Sequence, residues 1–325
     1  MALAVPVKAS SLAVPQGSTP LRQFSRFTTG RANPRVASVF YDVLEPASGP
    51  TRSAIVMVHG GAHTGGCYLS TPDGRPGWAR YFASQGHRVF VPDWPGMGRS
   101  GGVALDELGG QAVCTGLSNV IEAAGEPVIL MTHSMAGAFG WQLVESCGSR
   151  ILKVVAIAPA PPGNIQPAAR VLERGEGFIV VEQPTGPYRV NLQSMAMPDL
   201  GWARRKLIGS GGRFPIETAD RYLASLAATP PLLVLERVNA DSRQLKVNDF
   251  ANFRGKRMLI VIGTSDPDHT ETTDEPTVRW LNQNGARAEM LRLASLGIEG
   301  NGHMMMLENN SDEVAAHLAA WMSDE

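Results

Sequence analysis

Ser134 stands at the end of an apolar run, Pro127-Val-Ile-Leu-Met-Thr-His-Ser134, and is followed by the small-residue stretch Met135-Ala-Gly-Ala-Phe-Gly140. A serine on a sharp strand-to-helix turn carries its hydroxyl clear of a sheet. The helix that follows aims its N–H groups and positive end at negative charge developing beside that hydroxyl. Nucleophilic acyl chemistry needs this arrangement, although serine is also a favoured helix N-cap with a purely structural role. Near the other end, Gly297-Ile-Glu-Gly-Asn-Gly-His303-Met-Met-Met places a histidine in a glycine-flanked loop. His303 is therefore the candidate general base, with Met304 to Met306 read as core and pocket lining. Met258-Leu-Ile-Val-Ile-Gly263-Thr-Ser-Asp266-Pro-Asp268 offers a carboxylate at a strand end, where it could fix the tautomer of His303 and stabilise its imidazolium. Asp266 is preferred and Asp268 is its rival; the competing account is an acidic, solvated loop running to Glu275.

Stabilising an oxyanion takes backbone N–H donors aimed at one point. Ile55-Val-Met-Val-His59-Gly60-Gly61-Ala62-His63 follows a strand-like run, so Gly61 or Ala62 would supply one donor and Met135 the other. His59 reads as a loop-orienting residue rather than a second base.

His59-Gly60-Gly61, Asp93-Trp-Pro-Gly-Met-Gly-Arg-Ser100, Ser134 and Gly-Asn-Gly-His303 occur in one order. With them the chain resembles the α/β-hydrolases over roughly residues 36–158 and 255–323. The Ser134 segment resembles their nucleophile elbow, with Thr132 and Ala136 where the G-x-S-x-G pattern has glycines. Thr71-Pro-Asp-Gly-Arg-Pro-Gly-Trp78 and the His303-Met-Met-Met tail are similar to a branch of bacterial and fungal carboxylesterases, some of which de-esterify herbicides. In several of that branch the acid is a glutamate just after the strand that follows the nucleophile helix. This chain has Ala158-Pro159 there, so the acid must come from elsewhere, and Asp266 fits the order nucleophile, acid, base. The resemblance implies an α/β-hydrolase fold: a mostly parallel central sheet flanked by helices, with an inserted cap. It also implies a serine esterase or lactonase working through an acyl-enzyme on Ser134, with no cofactor and no metal. A lyase, isomerase or cyclase using the same base and oxyanion hole is the alternative, since fold does not fix function.

The elements that must position these residues are short apolar runs at Ala54–Val58, Arg88–Val91, Val128–Met131, Val154–Ala158, Met258–Ile262 and Ala288–Leu293. Segments such as Trp78–Ser84 and Asp106–Ala124 are long enough for crossover helices, which predicts a parallel sheet covered on both faces. The alternation stops between Pro159 and about Phe250, where prolines cluster around Arg204-Arg205-Lys206 and an amphipathic stretch, Thr218–Ala228. Residues 36–159 and 251–325 therefore read as the core and 160–250 as a cap, with Trp202, Phe214, Tyr222 and several methionines expected to line a pocket for a bulky apolar ester or lactone. A last helix is expected from near Asn310, with Glu313 in capping-box spacing and Val314, Leu318 and Trp321 on one face. Trp141, Trp280 and Trp321 are taken as core.

Residues 1–35 read as an N-terminal arm. The first forty residues carry Lys8, Arg22, Arg26, Arg31 and Arg35 and no acid before Asp42, a transit-peptide composition. The arm reading rests on two strands, Phe24–Thr29 and Val36–Leu44, joined by a turn at Gly30 and Asn33-Pro34. A formal net charge of −1 gives no positive field for nucleic acid or an anionic membrane, and no apolar run approaches the ~20 residues of a membrane span. Three cysteines without CxxC spacing favour a reducing, cytoplasmic setting; a homodimer is compatible with the composition. Gly96-Met-Gly-Arg-Ser-Gly101 matches a dinucleotide fingerprint literally, but lies after the second core strand among prolines. Asp266, Asp268, His269 and Glu271 are the only crowd of metal-ligand types and read as a solvated loop.

Overall fold

The computed structural model describes residues 19–28, 38–183 and 186–324. The transit-like N-terminal stretch and the turn at Gly30 and Asn33-Pro34 lie outside the described residues. The chain runs β1 (Leu21–Phe27), β2 (Phe40–Pro46), β3 (Ala54–Val58), α1 (Gly66–Leu69), α2 (Trp78–Ser84) and β4 (Val89–Pro92). It continues through α3 (Gly110–Ala123), β5 (Val128–His133), α4 (Ala136–Cys147) and β6 (Ile151–Ile157). Three strands follow, β7 (Val171–Gly175), β8 (Phe178–Gln183) and β9 (Gly186–Asn191), then the short helices α5 (Leu200–Ala203), α6 (Ala219–Ala224) and α7 (Pro231–Arg237). The last elements are β10 (Arg257–Ile262), α8 (Glu271–Gln283), β11 (Arg287–Arg292) and α9 (Ser311–Ser323).

Eight strands make one sheet in the order β1-β2-β4-β3-β5-β6-β10-β11. From β4 to β11 all pairs are parallel, while β1 and β2 form an antiparallel edge. Strands β3 and β5 are buried over their whole length. Successive side chains serve opposite faces: Ile55, Met57, Ile129 and Met131 enter one core with Trp78 and Leu318, and Val56, Val58, Leu130 and Val154 enter another with Leu117 and Trp141. Burial on both faces is why these strands read as continuous apolar runs rather than as alternation.

Several expectations are corrected. Helix α3 begins at Gly110, not Asp106, because the Glu236 carboxylate accepts the Gly110 N–H at 2.7 Å and so supplies a cap from elsewhere in the chain. The expected box at the start of α9 does not form, since the Asn310 side chain pairs with Asn301 rather than with a helix N–H. Trp141 and Trp280 are buried, but Trp321 is half-buried at the sheet edge, with its indole N–H on Glu289.

Between β6 and β10 the chain carries an antiparallel three-stranded sheet, β7-β8-β9, that the sequence reading lacks. Only Ile179, Val181 and Val190 are buried, against Leu235 and Ala240, and apart from Phe178-Ile-Val-Val181 of β8 the strands are mostly polar and exposed. The stretch 218–228 is helical only over α6. Phe214 and Tyr222 belong to the buried core, whereas Trp202 and Met197 are exposed.

Candidate active site

Ser134 leaves β5 with φ of +53°, a left-handed conformation that costs a non-glycine residue ~1–3 kcal/mol. The turn is held from both sides. The Ser134 N–H donates to the Ile157 carbonyl (3.0 Å), and the Ser134 carbonyl accepts from Gly137 (2.9 Å) and Ala160 (2.8 Å). Thr132 fits where the elbow pattern has glycine because Gly140 faces it: a Cβ on Gly140 would lie 3.0 Å from Thr132 Cγ2. The requirement for a small residue has moved onto the helix, where a Cβ on Gly137 would meet Pro159 at 2.6 Å.

His303 lies between two partners. Its Nε2 is 3.0 Å from Ser134 Oγ and its Nδ1 is 2.5 Å from Asp266 Oδ2. With Nδ1–H donating to the carboxylate, Nε2 is left to accept the serine proton. Burial pulls the imidazole down to about 4, against the upward pull of Asp266; Lys206 and His269 add to the lowering. The His303 imidazole is thus neutral at pH 7. Asp266 is held well below the usual carboxylate range: burial opposes ionisation, but His303, His269 and Lys206 outweigh it. The rival Asp268 turns away, with a half-exposed side chain whose Oδ2 is 2.5 Å from Lys206 Nζ.

Two loops bring Asp266 and His303 together. Gly263, at the end of β10, has no room for a Cβ, which would lie 2.3 Å from the Asn301 carbonyl, and the Ser265 N–H donates to that carbonyl at 2.8 Å. Below His303 the buried Glu308 carboxylate accepts from the Gly302 N–H (2.7 Å) and Asn301 Nδ2 (2.5 Å), clamping the loop just before His303. Burial pushes the Glu308 carboxyl up to about 7. The backbone of His303 is fixed as well, since its carbonyl accepts from His133 Nε2 at 3.0 Å.

The His59-Gly60-Gly61-Ala62 loop packs directly on Ser134. A Cβ on Gly60 would fall 2.7 Å from His133 Nδ1 and 2.9 Å from Ser134 Cβ, and one on Gly61 would fall 2.2 Å from Met135 Sδ. Ala62 has φ of +61°, and its N–H already donates to Thr229 Oγ1 at 3.1 Å. Among the described residues no hydrogen bond engages the N–H of Gly61 or of Met135. His59 orients this loop, with Nδ1 on the Gly60 carbonyl (2.8 Å), Nε2 accepting from the Trp94 N–H (3.2 Å) and the ring stacked on Trp94. His63 reaches the Gly61 carbonyl at 2.7 Å and Tyr222 Oη at 2.9 Å. Burial pulls both histidines to about 4, so both are neutral hydrogen-bonding pieces.

The glycine-rich 96–101 turn wraps a buried carboxylate instead of cradling a phosphate. Asp93 accepts from the N–H groups of Gly65 (2.7 Å) and Arg99 (2.9 Å) and pairs with the Arg99 guanidinium, while the Gly96 and Gly101 N–H groups donate to main-chain carbonyls. A fixed anion and spent amides are the reverse of a phosphate site. Asp266, His269 and His303 offer ligand atoms within 4.8 Å of one another, and Asp266 and His269 are buried, not solvated as expected. Their atoms are engaged: His303 spans Ser134 and Asp266, His269 Nδ1 holds Asp274 at 3.0 Å, and the Lys206 ammonium already neutralises the carboxylate. A cation there would compete with each of these contacts.

Residues missed along the chain are Lys206, Tyr222 as a partner of His63, Thr229, His133, His269, stacked on His303 at 5.5 Å, and Glu308. Only Asn301 and Glu308, bracketing His303, left a local signal.

A sequence model of the "Alpha/beta hydrolase family" matches residues 55–317. The chain belongs to the alpha/beta hydrolase family. This hydrolase is 23% identical over 339 residues to "Probable secreted lipase phiG" of Fungal sp. (strain ATCC 74256), covering 83% of this chain and 82% of that one. Over 117 residues it is 29% identical to 2-hydroxy-6-oxo-6-phenylhexa-2,4-dienoate hydrolase of Burkholderia cepacia, which is 34% of this chain and 37% of that protein. Among solved structures its fold is similar to that of a bacterial esterase, with a TM-score of 0.54, 17% identity and 98% of each chain covered. No helix of the described residues is long and apolar enough to cross a membrane.

Proposed function

We propose that this hydrolase cleaves a carboxylic ester or lactone through an acyl-enzyme on Ser134. The observation that carries the reading is His303, hydrogen-bonded to Ser134 Oγ on one side and to Asp266 on the other. In this mechanism Nε2 takes the Ser134 proton as Oγ attacks the carbonyl, and Asp266 stabilises the imidazolium. The Gly61 and Met135 N–H groups receive the oxyanion, Ala62 being engaged by Thr229. His303 then returns the proton to the leaving alcohol, and water, deprotonated by the same base, releases the acid.

A narrow crevice beside Met135 is lined by Phe139, Leu233, Glu236, Arg237 and Gln244. It has no room for a water molecule, so it takes no part of a substrate in this conformation. A lyase or isomerase would use the same base and oxyanion donors without acylating Ser134, so covalent labelling separates the two readings. A fluorophosphonate probe followed by peptide mass spectrometry is expected to modify Ser134, and to leave His303→Ala unmodified. A wild-type protein unlabelled at Ser134, yet turning over a substrate, would remove the acyl-enzyme.

A further inference from the structure

We propose that Lys206 is a positioning residue for the acid and base, setting the pH at which His303 becomes a competent base; this rests on the roles of Ser134, His303 and Asp266 given above. The Asp266 carboxylate is shared. One oxygen takes His303 Nδ1, and the other lies 3.3 Å from Lys206 Nζ and 3.0 Å from the Asp268 N–H, which donates to it. Neither Lys206 nor Asp266 is accessible to solvent to any useful degree, the two side chains being 8% and 0% exposed, so water screens the pair little.

The local chain explains how a lysine comes to be buried there. After α5 the helix widens: the Gly209 N–H donates to the Arg204 carbonyl, five residues back, at 3.1 Å. Such wide turns re-aim side chains and recur at functional sites. Leu207 and Ile208 on the same turn pack into the core that holds Met304 to Met306, directly after His303 in the chain. Arg204 and Arg205 stay exposed while Lys206 points inward.

An ammonium on the far oxygen holds the carboxylate plane so that the near oxygen meets Nδ1. It also withdraws negative charge from the group that would favour an imidazolium. The base therefore stays neutral to lower pH than Asp266 alone would allow. The other groups facing His303 are His269, itself paired with Asp274, and His133 at the end of β5. Farther out, Asp268 is bound to Lys206 and faced by Arg237, and Glu308 lies under the base loop with Arg213 nearby. None of these replaces a cation on Asp266.

The test is the second-order rate of Ser134 inactivation by a fluorophosphonate as a function of pH, which reports the base of the free enzyme. Lys206→Met and Lys206→Gln, the second keeping a hydrogen-bond donor, should move the acid limb up by about one pH unit, and Lys206→Arg should leave it near the wild-type position. Should Lys206→Met fail to fold, Lys206→Gln carries the test. An acid limb unmoved in Lys206→Gln, with labelling still at Ser134, overturns the inference even if the plateau rate falls. Wild-type protein unlabelled at Ser134 overturns the nucleophile reading and the inference with it.

Discussion

Ser134, Asp266 and His303 stand on loops that leave one end of a parallel sheet, whereas Lys206, Tyr222 and Thr229 reach the same place from the segment between β6 and β10. The first group inherits its positions from strand register: β5 pairs with β6 and β6 with β10, so the ends carrying Ser134 and Asp266 are set by a buried ladder. The second group is placed by single contacts, Lys206 on Asp266, Tyr222 on His63 and Thr229 on Ala62. Its segment also holds most of the exposed large apolar side chains of the described residues, from Leu172 to Ile216. Strand-end residues are therefore expected to decide whether the reaction occurs, and segment residues to decide its pH range and the stability of the site.

The sharpest test of this division lies within one loop. Asp266→Asn should lower turnover of an activated ester by ~10³–10⁴-fold, because the amide can neither fix the His303 tautomer nor stabilise its imidazolium. Asp268→Asn, two residues on and half-exposed, should stay within about tenfold, since it acts only through Lys206. Equal losses in the two variants would show that the acidic loop acts as one unit.

A smaller loss is expected at Gly60. An alanine Cβ there must displace the His133 ring or Ser134 itself, and a displacement approaching 1 Å at the nucleophile costs on the order of 10²-fold in kcat. Steady-state kinetics with unchanged thermal stability would assign the loss to nucleophile position; loss of stability without loss of kcat would make Gly60 a packing residue only.

The same division explains what was legible along the chain. Continuous apolar runs ending in glycine or small residues marked the core strands, since a strand buried on both faces leaves no other pattern. Ser134, His303 and Asp266 stood out because each follows such a run or sits among glycines that a tight loop needs. Asp266 and Asp268 could be ranked but not separated, because what parts them is the direction of two side chains in one turn. The sheet β7-β8-β9 escaped notice although β8 carries the apolar run Phe178-Ile-Val-Val181, because β7 and β9 on either side are mostly polar and exposed. Lys206 looked like the third member of a basic run, and only the widened turn after α5 distinguishes it from Arg204 and Arg205. Thr229 gave no signal and Tyr222 read only as pocket lining, since each owes its place to a partner more than 150 residues away in sequence.

The smallest effect on rate is expected at Thr229, and it bears on which amide receives the oxyanion. Thr229 Oγ1 accepts the N–H of Ala62, a residue already strained at φ of +61°. Thr229→Val keeps the shape and removes the acceptor, leaving a buried N–H without a partner at a cost of ~1–3 kcal/mol, readable as a lower denaturant midpoint. The loop keeps its second tie, the Ala227 N–H donating to the Ala62 carbonyl at 2.8 Å, so the Ala62 backbone should hold its place. With Gly61 and Met135 as the donors, kcat should then change by less than about tenfold. A change approaching 10²-fold in either direction would instead assign the oxyanion to Ala62, its N–H released from the threonine, and the segment between β6 and β10 would then govern the chemical step as well as its surroundings.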